Sequence, residues 1–311
     1  MFTSLAFGLS AAEFAVTTNS LVVLGSREEA RKALMTEDDF IRALSDFDRA
    51  ARMKSENPVT RAQFLDFVGG EALDWTDADT AKLQREAAVA KQKLSNLKIP
   101  LPGRILLVKT TGREEANTAY CRSTNTVVLS RRFVNAAGLN SVLIHELFHI
   151  MSRNNAGLRE QLYALIGFKP CAALKLPAEL EARHITNPDA PRLDYFVEVT
   201  RGPQKVDAIP ILFATPERWN KEKGGEFFAY LTWKLMAIDR AGGGTRPLSE
   251  NAKAVLLNAR DVSGFREQIG EQPGPVLQAE EILAEYFVKF VEGRGEVPPR
   301  VQQGMRKLFM R

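Results

Sequence analysis

The sequence is poor in histidine and cysteine. Its 311 residues include three histidines, His145, His149 and His184, and two cysteines, Cys121 and Cys171. The cysteines are not arranged as a CxxC pair, so they do not form a zinc knuckle. They are compatible with one disulfide after export or with two thiols in the cytosol.

Long apolar runs and a strong charge excess are also missing. No uncharged apolar run reaches the roughly 18–20 residues that a membrane span requires, so no transmembrane segment is expected. The net charge is only +4, from 42 basic and 38 acidic residues. No basic stripe is interleaved with aromatic residues, so nucleic acid is not an expected partner.

The first 25 residues have the composition of a leader. The stretch MFTSLAFGLSAAEFAVTT is apolar, but its first basic residue is Arg27, and Glu13 interrupts it. A secretory signal usually has a positive start and an unbroken apolar run. We therefore treat residues 1–25 as a signal segment, an N-terminal strand or a disordered leader, which leaves export and the cytoplasm both open.

Residues 26–102 have the pattern of a helical region. Thr36 precedes an acidic first turn, Thr60 and Gln63 form a capping-box pattern, and Thr76 precedes a long helical run. Ser or Thr at these positions accepts hydrogen bonds from free amides at a helix N-terminus. We interpret this region as a structural cap on the rest of the chain.

Residues 103–311 form a second predicted region, which begins with a change from helix-forming to strand-forming composition. RILLVKTT is rich in strand-forming residues, and TAYCR and TVVLS flank a turn at 123–125. A helix capped by Asn140 or Ser141 follows, and later segments such as VLQAEEILAEYFVKFVEG are helical. These patterns predict an α+β fold, with a small sheet followed by a mostly helical C-terminal part.

Two of the three histidines lie in SVLIHELFHIMSR, residues 141–153. Residues four apart share one face of a helix, so His145 and His149 can direct both imidazoles at one zinc ion. Glu146, rotated by about 100°, is placed to act as a general base beside the metal. Because the surrounding residues are apolar, the helix is predicted to be buried, and buried polar groups need partners.

A catalytic zinc site usually has three protein ligands. The best third ligand is Glu281 in QAEEILAEYFVKF, with Glu280, His184 or another acid as alternatives. Glu285, one helical turn on, is predicted to accept a hydrogen bond from a ligand histidine. Glu280 points about 100° away from this face and is predicted to be solvated.

This site predicts hydrolysis of an amide bond. Zinc lowers the pKa of its bound water toward about 7, and Glu146 takes the proton and returns it to the leaving nitrogen. His184 is the first candidate for a further catalytic role, as the donor that stabilises the oxyanion. Three tyrosines are weaker candidates for that donor: Tyr120, Tyr195 and Tyr286.

The TAYCR strand permits two interpretations. It either presents a free edge on which an extended peptide adds as a strand, or it is an ordinary strand of a hairpin. The first interpretation would provide the peptide substrate with a binding site next to the metal.

The segments HELFHIMSRNNAGLREQLYALIGF, ITNPDAPR, GFREQIG and QAEEILAEYF occur in this order. Together, over about residues 104–308, they resemble a family of poorly characterised bacterial proteins described as zinc metallopeptidases. The resemblance implies a zincin-like fold and a gluzincin-like site. It implies His145, His149 and Glu281 as ligands and Glu146 as the base.

The chain departs from the family pattern near the third ligand. Gln278-Ala279 stand where the family has His-Pro, and Tyr286 stands where it has Asn. The metal-ligand positions are nevertheless retained, so the main hypothesis is a zinc-dependent metallopeptidase acting on a peptide or protein substrate. The alternative is a non-catalytic peptide-binding protein on a peptidase scaffold, with a structural or silent zinc site. Members of the family are often exported, which favours the signal interpretation of the leader.

Overall fold

The computed structural model describes residues 12–271 and 277–310 and has an α+β architecture. Two six-stranded sheets are joined by helices, and the histidine helix lies between them in sequence. Within these ranges, no helix has the length and apolarity needed to cross a membrane. The predicted fold class is confirmed at this level.

The first sheet combines parallel and antiparallel strands. Its order is β1-β2-β4-β6-β5. The two-residue strand β3 pairs with the last two residues of β4, Lys109 and Thr110, which lie beyond the part of β4 that pairs with β2. β2, β4 and β6 are parallel, whereas β1 and β5 are antiparallel edge strands. The strands are β1 Glu13–Ala15, β2 Leu21–Leu24, β3 Ala72–Leu73, β4 Arg104–Thr110, β5 Ala119–Arg122 and β6 Thr126–Ser130.

Helices cover both faces of this sheet. Successive side chains of a strand point to opposite faces, so Ile105 and Leu107 pack on one side and Val108 on the other. The Val108 side is covered by α1 Arg27–Leu34, α2 Asp39–Ala43, α3 Asp46–Arg52 and α4 Arg61–Gly70. The Ile105 side is covered by α5 Asp77–Leu94 and α7 Leu139–Asn154, and the short helix α6 Arg131–Asn135 links β6 to α7.

Several local predictions are confirmed. The capping box of Thr60 and Gln63 begins α4, Thr76 caps α5, and residues 123–125 turn between β5 and β6. The segment after Thr36 forms two helices because Ser45 bonds the amide of Asp48 and starts α3.

The N-cap of the histidine helix was predicted two or three residues late. α7 begins at Leu139, after Gly138 at φ 74°, so Asn140 and Ser141 lie inside the first turn. Asn140 does not cap the helix: its side-chain oxygen accepts from Lys93 on α5 at 2.6 Å, and its nitrogens donate to Glu86.

The prediction of a mostly helical C-terminal part is wrong. Residues 168–257 form an antiparallel sheet of order β11-β10-β9-β8-β7, with β14 paired to β10. Its strands are β7 Phe168–Pro170, β8 Tyr195–Arg201, β9 Gln204–Ala214, β10 Leu231–Asp239, β11 Arg246–Pro247 and β14 Leu256–Leu257; β12 Ser249–Glu250 and β13 Lys253–Ala254 form a separate ribbon. The helices of this part are α8 Ala156–Ala164, α9 Ala178–Glu181, α10 Phe265–Ile269, α11 Ala279–Glu292 and α12 Pro299–Phe309.

The region boundaries predicted at 25/26 and 102/103 fall within one sheet. β2, β3 and β4 come from the three predicted regions, and β4 pairs with both of the others. Residues 13–24 supply two strands of this sheet, in line with the strand interpretation of that segment. Residues 1–11, which carry most of the signal-like stretch, lie outside the described residues.

Candidate metal centre

Two imidazoles lie one above the other on α7. The ring centroids of His145 and His149 are 4.7 Å apart, as expected for residues four apart on a helix. The side chain of His149 is fully buried, whereas that of His145 is one-fifth exposed. The pair therefore opens toward solvent on the His145 side.

A carboxylate from α11 faces both imidazoles. The Glu281 Oε2 atom lies 3.4 Å from His145 Nε2 and 3.9 Å from His149 Nε2. This contact is made possible by the packing of α11 on α7, where Phe287 and Phe148 meet at a centroid distance of 5.5 Å. The structure thus brings Glu281 next to two histidines that lie more than 130 residues earlier in the sequence.

The three side chains fit a divalent metal. Two ligands about 2.0–2.1 Å from a tetrahedral zinc lie about 3.3 Å apart, close to the separations observed here. His149 Nε2 is buried and has no hydrogen-bond partner among the described residues. Because a buried polar atom without a partner is costly, this nitrogen indicates a ligand at the centre of the group.

The charges of the group suit a cation. Burial alone would raise the pKa of Glu281, but the neighbouring His149 and His145 and the Asn187 amide lower it to about 2. Burial alone would lower the pKa of His149, but the carboxylates of Asp189, Glu281 and Glu280 raise it to about 10. The carboxylates around the two imidazoles therefore favour a positive charge at this position.

Glu280 is buried and contacts His149, contrary to the prediction that it is solvated. It is 3% exposed, and its Oε1 lies 3.0 Å from His149 Nδ1. Its other oxygen accepts hydrogen bonds from Ser152 and Tyr163, at 2.8 and 2.5 Å. The side of α11 that carries Glu280 was predicted to face solvent. It is covered by α7 and α8, so Glu280 lies in the interior.

Glu285 does not make the predicted hydrogen bond. Its side chain is half exposed, and its Oε1 lies 3.8 Å from His145 Nδ1, beyond hydrogen-bond distance. In this structure the role predicted for Glu285 is filled by Glu280, which acts on His149.

Glu146 lies buried beside the group and is 3% exposed. The thiol of Cys121 on β5 donates to its Oε2 at 3.3 Å, and Asp189 lies in the same cluster. Burial raises the pKa of Glu146, although His149 and His145 oppose the shift. Burial likewise raises the pKa of Asp189 to about 7, against the effects of His149 and Arg153.

The loop at residues 187–190 contacts Glu281 on α11 and also β5, whose Cys121 lies beside Glu146. Asn187 Nδ2 donates to Glu281 Oε1 at 2.8 Å, and Asp189 Oδ1 accepts from the Cys121 amide at 2.8 Å. In the sequence this loop was part of the ITNPDAPR segment of the family resemblance and was given no role of its own. Its contacts were missed because they depend on tertiary folding.

β5 is an edge strand, but its outward side is occupied. Asp189 takes the amide of Cys121, and Asp38 takes the amide of Ser123 at 3.0 Å. These carboxylates take the place of the backbone acceptors of an added strand. Strand addition at this edge therefore requires the loop to move.

His184 is not part of the metal-ligand group. It is buried, its Nδ1 lies 3.3 Å from Thr186 Oγ1, and its carbonyl accepts from Ser45 at 2.7 Å. Burial lowers the pKa of His184. No described contact joins it to the histidine pair, so its catalytic role stays a prediction.

The tyrosine candidates are engaged elsewhere. Tyr120 OH donates to Glu114, Tyr286 OH donates to the Ile269 carbonyl at 2.7 Å, and Tyr195 OH accepts from Arg159. These hydrogen bonds do not identify an oxyanion donor.

Comparisons with protein-family models, with curated proteins and with solved structures find no match to this chain. The arrangement of the side chains themselves therefore carries the functional argument.

Proposed function

We propose that this protein is a zinc-dependent metallopeptidase. The observation that carries the proposal is the convergence of His145 Nε2, His149 Nε2 and Glu281 Oε2 from two helices. A two-histidine, one-glutamate set is a typical catalytic zinc site, because it leaves one coordination position open. The partial exposure of His145 and Glu281 gives that position access to solvent.

The protein side chains have separate roles in this proposal. When bound, zinc supplies a Lewis acid that polarises a peptide carbonyl and acidifies water. Glu146 accepts a proton from the attacking water and transfers it to the leaving nitrogen. Glu280 fixes the orientation of His149, because a hydrogen bond to Nδ1 leaves Nε2 free to bind metal.

The replacement Glu146→Gln tests the general base. It removes the proton acceptor and leaves the three ligands in place, so we expect one zinc per chain and a rate about 10²- to 10⁴-fold lower. Zinc is measured by elemental analysis, and cleavage of a mixed peptide library is followed by mass spectrometry with and without a chelator. Glu160→Gln, an exposed change of the same chemistry on α8, is the matched control.

Two results would count against the proposal. A Glu146→Gln protein that cleaves at the parental rate would reject Glu146 as the base. A zinc-loaded parent that cleaves no peptide would favour the peptide-binding alternative.

A further inference from the structure

A cavity of about 460 Å³ adjoins the metal centre. One wall is the start of α11, at Gln278–Glu280, and another is the loop at Pro188–Ala190. The volume lies in the range that holds a small ligand or part of a peptide. Because Glu280 lines this cavity and also bonds His149, a single side chain separates it from a proposed ligand.

Most charged groups around this cavity are already matched. Its walls carry both acids and arginines. The ion pairs there are Arg42 with Asp39, Arg153 with Asp189 and Arg192 with Asp194, while Asp38 pairs with Arg122. Arg159 is different, since no carboxylate of the described chain lies within ion-pair distance of its guanidinium.

Arg159 is fixed in place with its terminal nitrogens available. Its Nε donates to Tyr195 OH at 3.2 Å, and the guanidinium carbon lies 5.6 Å from the centroid of the Tyr195 ring. The Nη1 and Nη2 atoms make no hydrogen bond within the described residues. A planar guanidinium with two free donors matches a carboxylate bidentately.

The neighbouring acids limit the charge of the ligand. Asp38 and Asp39 line the same cavity, and a dianion such as phosphate would be repelled by them more strongly than a monoanion. Glu280 and Asp194 already act on the charge of Arg159, so a single carboxylate, bound through the free terminal nitrogens, matches this position better than a dianion.

We propose that the cavity binds a carboxylate of the peptide substrate and that Arg159 determines this specificity. The inference rests on the proposed peptidase function and narrows its substrate class to peptides that carry such a carboxylate. The carboxylate is either the free C-terminus of the peptide or an acidic side chain. Amidation of the C-terminus removes the first, and replacement of glutamate by glutamine removes the second.

Binding is measured on the zinc-loaded Glu146→Gln protein, so that no hydrolysis is needed. The probes are fluorescein-labelled alanine peptides: one with a free C-terminus, its C-terminal amide, and amidated peptides ending in glutamate or glutamine. We expect at least one carboxylate peptide to bind more tightly than its neutral counterpart. The free-acid pair reports on the terminus, and the glutamate–glutamine pair reports on the side chain.

Arg159→Gln should then remove the preference. We expect affinity for the carboxylate peptide to fall about 10- to 100-fold, as for the loss of a charged hydrogen-bonded pair, with neutral peptides little changed. Arg192→Gln is the matched control, because Arg192 lines the same cavity but pairs with Asp194 and is 61% exposed. Arg159→Lys keeps the charge but loses the planar pair of donors, so an intermediate loss is expected.

Equal binding of charged and neutral peptides would overturn the inference, as would unchanged affinity in both Arg159 variants with intact zinc content. If Arg159→Gln fails to fold, the affinities of Arg159→Lys for the carboxylate peptide and its neutral counterpart decide whether the inference stands. The two proposals fail separately. Carboxylate-selective binding without cleavage by the parent protein would reject only the peptidase, whereas zinc-dependent cleavage indifferent to carboxylates would reject only the role of Arg159.

Discussion

The two ring nitrogens of His149 have different environments. Nδ1 is held by Glu280, whereas Nε2 is buried without a partner among the described residues and faces Glu281. Two adjacent acids of α11 therefore act on one imidazole from different sides. The first orients the ring, and the second completes the proposed ligand set.

This division of roles predicts an order of zinc affinities. Glu281→Gln removes a ligand and should weaken zinc binding by more than about 100-fold, whereas Glu280→Gln removes an orienting charge and should cost about 10- to 100-fold. The affinities are measured by competition with a chromophoric chelator at pH 7. Glu285→Gln is the control, because Glu285 is half exposed and lies 3.8 Å from His145; a larger loss in this variant than in Glu281→Gln would reject the ligand assignment.

The sequence predicted which residues would converge but not all of their neighbours. Helix periodicity placed His145 and His149 on one face and singled out Glu281, because spacing along a helix is a local property. The same periodicity put Glu280 in solvent, which is wrong, since Ser152 and Tyr163 cover that side. A helical pattern does not specify which other elements pack against each face.

At the scale of elements, Glu292 joins three helices at their ends. Its Oε1 accepts from Lys93 on α5 at 2.8 Å and from Ser141 on α7 at 2.5 Å. Arg294 pairs with the other oxygen. Because Glu292 ends α11, this cluster fastens the glutamate helix to the histidine helix and to α5.

The Glu292 cluster predicts a pH-dependent contribution to stability. Burial alone would raise the pKa of Glu292, but Lys93, Ser141 and Arg294 lower it to about 2. In the unfolded chain a glutamate titrates near about 4.3. The stabilisation is therefore fully present above that pH and is lost as the pH falls toward about 2.

We expect Glu292→Gln to lower the free energy of unfolding by about 1–2 kcal/mol at pH 7. The value is kept low because Lys93 and Arg294 are 30% and 70% exposed and solvent screens their charges. Denaturant unfolding at several pH values should show the gap closing between about pH 5 and pH 2. Glu296→Gln, at an exposed position, should show no such trend, and a constant gap for Glu292→Gln would contradict the assignment.

Element prediction succeeded where the signal was local. The caps at Thr60 and Thr76 and the turn at 123–125 are each defined within a few residues. The second sheet was missed although its strands are rich in β-branched and aromatic residues. The turn at Gly202-Pro203 between β8 and β9 was a local signal that was not used, whereas the pairing of β9 with β10 across a long connection is a non-local feature that no short window contains.

At the scale of the whole molecule, the N-terminal helices support the metal centre. Arg52 on α3 pairs with Asp48 and Glu115 in the interior and donates to the Thr186 carbonyl at 3.0 Å. Asp48 also accepts from the Thr186 amide at 2.8 Å. The next residue, Asn187, bonds Glu281, so residues 26–102 are linked to the proposed third ligand.

This integration predicts that residues 103–311 do not fold alone. Removing the preceding chain takes away β2 and β3, which pair with β4, and uncovers the apolar face of Val108 and Val128. We expect no cooperative thermal transition by circular dichroism. Co-expression of residues 1–102 as a separate chain should restore one, and a parental transition in the isolated fragment would contradict the prediction.

The carboxylates on the outer side of β5 also affect behaviour in concentrated solution. An uncovered strand at the border of a sheet readily recruits a strand from another molecule, and natural proteins block such borders. Here Asp38 and Asp189 engage the amides of Ser123 and Cys121 and leave a neighbouring molecule few donors to pair with. These two contacts therefore make this border less available to a strand from a second molecule.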